Sequence, residues 1–115
     1  MIKTFTDLDV YKRSQSIYPK VVAFTKTFPN SGKHLQDQLC RSANSIHANI
    51  AEGYGRSPKE FKMYLTRSIG SCNETRSHIQ DAKNVEFGMS SVADFLLWEY
   101  EIISKQLYRL RERWE

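Results

Sequence analysis

Apolar side chains recur along this chain at alternating steps of three and four residues, the spacing of one face of an α-helix. Val10, Ser14, Ile17, Val21, Phe24 and Phe28 carry the first such stripe and predict a helix over about 8–28, with Asp7 as its N-cap. Pro19 falls inside it and cannot donate the usual backbone hydrogen bond, so a kink or local widening is expected there. Phe28-Pro29-Asn30-Ser31-Gly32 ends the segment. Leu35, Leu39, Ala43, Ile46 and Ile50 form the second stripe, over about 34–52, beside a column of Ser42, Ser45, Asn49 and Glu52. Small polar side chains in that column allow a neighbouring helix to come close.

Gly53-Tyr54-Gly55 stops the second helix, and Ser57-Pro58-Lys59-Glu60 restarts the chain. A capping Ser, a Pro at the first helical position and a Glu three residues after the cap together make a strong helix-start signal. The third helix, about 58–86, carries Phe61, Leu65, Ile69, Cys72 and Ile79 inward, with Gly88 placed as its left-handed cap. Ser91-Val92-Ala93-Asp94 reads as a second capping box opening the fourth helix, about 92–113, whose apolar face includes Phe95, Leu96, Ile102, Ile103, Leu107 and Leu110. No segment alternates with period two as a strand does. Four helices with short connections predict an all-α fold, an antiparallel up-down-up-down left-handed four-helix bundle formed by residues 1–115 as a single domain. Leu97, Trp98, Tyr100 and Tyr108 widen the apolar arc of the fourth helix beyond what one core covers, which predicts a subunit interface.

With 115 residues, 40% hydrophobic and 26% charged, the chain has the composition of one globular domain. No window reaches the ~18 uninterrupted apolar residues of a membrane span, and no leader segment is visible, so a cytoplasmic protein is expected. Cys40 and Cys72 stand far apart without a neighbouring ligand pair, which predicts free thiols and no zinc site. Seventeen Lys and Arg against thirteen Asp and Glu give a net charge of +4, which favours polyanions as partners without naming one.

The run Gln38-Leu39-Cys40-Arg41-Ser42-Ala43-Asn44-Ser45-Ile46-His47-Ala48-Asn49-Ile50-Ala51-Glu52-Gly53, with Gly55-Arg56 behind it, resembles the four-helix bundle proteins encoded by intervening sequences in bacterial 23S rRNA genes. Further matches are Phe5-Thr6-Asp7-Leu8, Phe28-Pro29, Glu60-Phe61, Gly70-Ser71 and Glu74, so the resemblance spans nearly the whole chain. Pro19, Ser68 and Ile69 depart from the usual pattern. The resemblance implies a homo-oligomer, a ring of five bundles, with no enzymatic activity and no cofactor. It also implies a fold similar to that of the accessory variability protein of diversity-generating retroelements, which partners a reverse transcriptase and nucleic acid. It does not imply a ribosomal protein, because the family's name reflects where its genes lie.

Within the signature, Ser45, Ile46, Asn49, Ile50, Ala51, Glu52 and Gly53 are read as packing residues. Ser42, Ser45 and Asn49 are expected to hydrogen-bond across to helices one and three. If helices two and three turn about Gly55, Ser42 comes level with Ser68 and Cys40 with Gly70, which makes Gly70 a packing glycine. Glu52 is expected to favour the start of the third helix through its dipole. Gly53-Tyr54-Gly55-Arg56 lacks the lysine of a phosphate-binding loop, and His34, His47 and His78 lack the paired Glu-x-x-His spacing of a di-iron bundle. Arg41 and His47 do fit the loose Arg-x(4–6)-His spacing of all-helical HEPN ribonucleases, the one enzyme alternative to a binding module. The candidate nucleic-acid contacts are Lys12, Arg13, Lys20 and Lys26 on the first helix, Arg56, Lys59 and Lys62 around the second turn, and Arg109, Arg111 and Arg113 at the end.

Overall fold

The computed structural model describes residues 1–115 and contains four α-helices and no strand: α1 Asp9–Lys26, α2 Lys33–Gly53, α3 Pro58–Asn84 and α4 Ser90–Arg113. Short 3-10 turns at Phe5–Asp7 and Asn30–Gly32 precede α1 and α2. Cross-helix bonds set the directions. Ser14 and Thr25 of α1 meet His47 and Cys40 of α2, while Thr75 and Ser68 of α3 meet Ser42 and Ile46 of α2. Lys83 and Thr66 of α3 meet Asp94 and Arg111 of α4, and Arg13 of α1 meets Glu99 of α4. In the first three pairs early residues face late ones, and from Arg13 to Lys20 the α1 contacts step back along α4 from Glu99 to Phe95, so all four neighbouring pairs are antiparallel. Contacts run α1–α2, α2–α3, α3–α4 and α4–α1, with none across either diagonal, which makes a four-cornered bundle measuring 44 × 21 × 19 Å.

Twenty apolar side chains fill the core, among them Val21, Leu39, Ile46, Ile50, Phe61, Leu65, Ile79, Leu96, Ile103 and Leu107, all essentially sealed from solvent. α1 runs unbroken through Pro19, which faces solvent.

Several helix ends differ from the sequence reading. Asp7 does not cap α1: its carboxylate turns back to accept from the backbone N–H groups of Lys3 (2.8 Å) and Thr4 (3.1 Å), and those bonds hold its pKa below the ordinary value. Leu8 stands at the cap in extended conformation. α4 begins at Ser90, with the Met89 carbonyl accepting from Val92 and Ala93, so the Ser91 capping box does not form. Asp94 instead accepts from Lys83 at 2.6 Å and ties α4 to α3. The Ser57 box is present, with Ser57 Oγ accepting from the Glu60 N–H at 3.2 Å and donating to Glu60 Oε1 at 2.9 Å.

α3 stops at Asn84, and its left-handed residue is Glu86 (φ 62°), not Gly88. Phe87 N–H reaches the Ala82 carbonyl and Glu86 N–H the Lys83 carbonyl, the paired bonds of a Schellman ending. Gly88 (φ 74°) follows one step on, and a Cβ there would come within 2.5 Å of the Phe24 ring. Glycine is the favoured residue in such an ending. Glu86→Gly is therefore expected to stabilise the fold by about 0.5–1 kcal/mol, and Gly88→Ala to destabilise it. Urea midpoints of the two variants, moving in opposite directions, check this.

Candidate nucleic-acid interface

Antiparallel packing gathers the start of α1, the α2–α3 connection and the end of α4 at one end of the bundle. Lys12, Arg13, Arg56, Lys59, Lys62, Arg109, Arg111 and Arg113 all lie toward that end. Lys20 sits midway along α1, with its Nζ 5.1 Å from the centre of the Phe95 ring, and Lys26 lies in the last turn of α1 at the opposite end. The ten candidates thus divide into eight that converge and two that do not.

The converging eight are not equally free to meet a phosphate. Arg13 is paired with Glu99 at 2.9 Å. Arg56 is held by Glu52 (3.2 Å) and Glu60 (3.7 Å) and lies over the Tyr64 ring at 4.9 Å. Arg111 donates to Thr66 Oγ1 at 3.2 Å and covers the Tyr108 ring at 5.0 Å, without an acidic partner. Lys12, Lys59, Lys62, Arg109 and Arg113 have no carboxylate within ion-pair distance. Sequence reasoning missed Arg67, which also has no acidic partner and lies 4.9 Å from the Tyr64 ring centre. The three-residue steps Tyr64–Arg67 and Tyr108–Arg111 were the available signal. Glu52 is exposed and paired with Arg56 at 3.2 Å.

The signature residues divide into core and seam. Ile46 and Ile50 are fully buried, and Ala51 is half-buried. Ser71 Oγ donates to Ser45 Oγ at 2.9 Å, Thr75 Oγ1 to Ser42 Oγ at 2.9 Å, and Ser68 Oγ to the Ile46 carbonyl at 2.9 Å. Asn49 does not cross between helices: its Nδ2 returns to the Ser45 carbonyl (2.8 Å) and Oγ (2.9 Å). The α2–α3 register therefore places Ser42 beside Thr75, about two turns from the expected Ser68. Gly53 remains helical and abuts Tyr64 and Phe61, so the first turn of α3 stands beyond the end of α2. The connection is consequently not centred on Gly55. Cys40 faces Thr25 of α1 (3.5 Å), while Gly70 is exposed with nothing within 4 Å of its would-be Cβ, so it is not a packing glycine within this chain.

Arg41 and His47 do not form a shared site. Six residues on one helix separate them by roughly 120° around its axis. Arg41 is exposed, whereas His47 is 5% exposed between α1 and α2. The imidazole Nδ1 lies 3.0 Å from Ser14 Oγ and Nε2 lies 3.4 Å from Asn44 Nδ2, with Tyr11 and Tyr18 edge-on to the ring. Burial lowers its pKa, so the neutral form belongs to the fold. Between that lowered value and the ordinary ~6.5, the unfolded chain binds the extra proton. Stability is therefore complete above about pH 6.5 and is lost as pH falls through the folded value. Urea midpoints from pH 8 to 5 are expected to be flat and then fall, with His47→Gln flattening the fall near pH 6.

His78 lies between Glu74 (3.4 Å from Nε2) and Asp81 (4.0 Å from Nδ1), and no group of three His, Cys, Asp or Glu converges as metal ligands. Both cysteines are free, and the buried Cys72 thiol is pushed up to about 12 by desolvation. No helix is long and apolar enough to cross a membrane.

The fold is similar to a crystal structure, at 1.70 Å, of a protein of unknown function from the S23 ribosomal protein family of Bacteroides thetaiotaomicron VPI-5482. The TM-score is 0.82 at 24% identity, covering 90% of this chain and 98% of that one, a likeness that shows the fold alone. No protein of curated function matches. The sequence pattern of the 23S rRNA-intervening sequence proteins matches residues 6–109, and with the signature on α2 seated in the helix seam the chain belongs to that family.

Proposed function

We propose that this protein is a non-enzymatic, self-assembling helical scaffold that binds nucleic acid through the basic end of the bundle. The observation that carries the reading is that Lys12, Lys59, Lys62, Arg109, Arg111 and Arg113, none with an acidic partner, share one end of the bundle, where α1 and α3 begin and α4 ends. Phosphate recognition is dominated by such cations and is strongly salt-dependent. With roughly six phosphate contacts, affinity for RNA or DNA is expected to fall about a thousandfold between roughly 50 and 200 mM salt. A salt-independent affinity would refute the phosphate contacts.

Self-assembly rests on a separate surface. Tyr100, counted in the surplus apolar arc of α4, is buried in the core, and Leu97 is half-buried. What stays uncovered is Phe95 (41% exposed), which only Lys20 of α1 approaches, beside Trp98 (57%), with ring centres 6.5 Å apart. A ring of five copies, as the family resemblance implies, would use this patch and repeat the basic end fivefold. Sedimentation of the native protein is expected to give an oligomer, and Trp98→Glu to give smaller species. A native monomer at all concentrations would remove self-assembly from the account. The cytoplasm, where nucleic acid and a nucleic-acid-processing enzyme would be met, fits this reading.

A further inference from the structure

We propose that the outer face of α3 and α4 at the basic end is a stacking site for single-stranded nucleic acid. The proposal rests on the nucleic-acid reading above and narrows it to strands with unpaired bases. Electrostatics alone does not account for the side chains on this face. Between Arg56 and Arg67 the chain carries four cations, Arg56, Lys59, Lys62 and Arg67, against one acid, Glu60. Interleaved with them, Met63 is 47% exposed, and Tyr108, across the Arg111–Thr66 hydrogen bond, is 42% exposed. On the flank of α3 that packs against Gly53 of α2, Tyr64 is half-buried with the guanidiniums of Arg56, itself paired with Glu52 and Glu60, and Arg67 each 4.9 Å from its ring centre; on the α4 side Arg111 lies 5.0 Å from the ring centre of Tyr108.

Planar guanidiniums already held against rings are surfaces on which a base stacks, and an uncovered ring or thioether beside them gains contact when a base covers it. A duplex presents phosphates to such a face but keeps its bases stacked on each other. An unpaired strand can splay its bases outward and supply both groups at once. Cations alternating with exposed π and sulfur surfaces, at the spacing of helix turns, therefore match the alternating phosphates and bases of a single strand.

The test uses the full chain and three probes: a fluorescent oligothymidylate of about 20 nucleotides, long enough for one or more site sizes, a duplex of equal length, and inorganic polyphosphate as competitor. At equal salt the single strand is expected to bind at least about tenfold more tightly than the duplex. Tyr108→Ala should weaken the single strand about tenfold, the order of one lost stacking contact, while leaving duplex affinity and both salt slopes unchanged. Tyr108→Phe should retain tight binding. Tyr108 is exposed, so the variants are expected to fold, which circular dichroism checks. Equal affinity for strand and duplex, a Tyr108→Ala variant that binds like the native protein, or polyphosphate competing charge for charge with the single strand would overturn the stacking site and leave phosphate binding standing. No binding of any probe at low salt would overturn the nucleic-acid reading itself.

Discussion

Phe61→Ala is expected to cost about 3–5 kcal/mol of folding stability, the usual loss for truncating a sealed aromatic residue. Phe61 is completely buried in the first turn of α3, where the Ser57 box fixes the start of the helix. Its ring meets Trp114 at 4.8 Å and Tyr54 at 6.0 Å, both edge-on, so one side chain joins the α2–α3 connection to the end of α4. Removing it leaves a cavity whose walls belong to three separate elements and cannot close over it together. Against a typical total of roughly 5–15 kcal/mol, a large share of the stability would go, and the melting temperature should fall by more than ~10 °C. Guanidinium unfolding checks the magnitude, with Phe61→Leu expected to lose much less. A loss below ~1 kcal/mol would show that the ring is not sealed as described.

Gly53→Val is expected to be the next most damaging change, at about 2–3 kcal/mol, through overpacking. A Cβ on Gly53 would overlap the Cβ of Tyr64 and come within 2.8 Å of its Cγ. Those atoms sit close to the α3 backbone, so no rotamer change relieves the clash and the two helices must part. The Ser71–Ser45 and Thr75–Ser42 bonds along the same seam would lengthen with them. Gly70→Ala, in contrast, has open space and should gain up to about 1 kcal/mol from helix propensity. Denaturant midpoints moving in opposite directions for the two glycines check the register directly.

That contrast shows which features the sequence carried. The Ser57-Pro58-Glu60 helix start depends on side chains within four residues of each other, and it is present in the structure. The apolar stripes also depend on local spacing, and most of their Leu, Ile and Phe positions fill the core or pack against it, whereas Phe95 of the fourth stripe stays 41% exposed because α1 covers too little of α4 to bury it. Register between helices is not local. It depends on how far α3 overshoots α2, which follows from the fit of Gly53 against Tyr64, a contact across the connection. Gly88 looked like the left-handed cap because glycine is favoured there, yet tertiary packing of Phe87 against the core places Glu86 in that conformation. At the candidate site, the clustering of cations was implicit in helix order once the helices ran antiparallel. Their pairing was not, since Arg13 meets Glu99 across 86 residues of chain. The motif of Arg41 and His47 failed as a site for the converse reason: spacing on one helix cannot say that the histidine is roofed by α1.

Nucleic-acid binding at the basic end is tested most directly by salt titrations of affinity for one single-stranded probe, comparing the native protein with two charge-reversed variants. Lys59→Glu/Lys62→Glu/Arg111→Glu is expected to bind at least about a hundredfold more weakly at low salt and to show a salt slope shallower by about two, the loss for three phosphate contacts to a single strand. Lys26→Glu, at the far end of the bundle, is expected to change both far less. A triple variant that keeps native affinity and slope, or a Lys26→Glu variant that loses as much as the triple variant, would contradict the account.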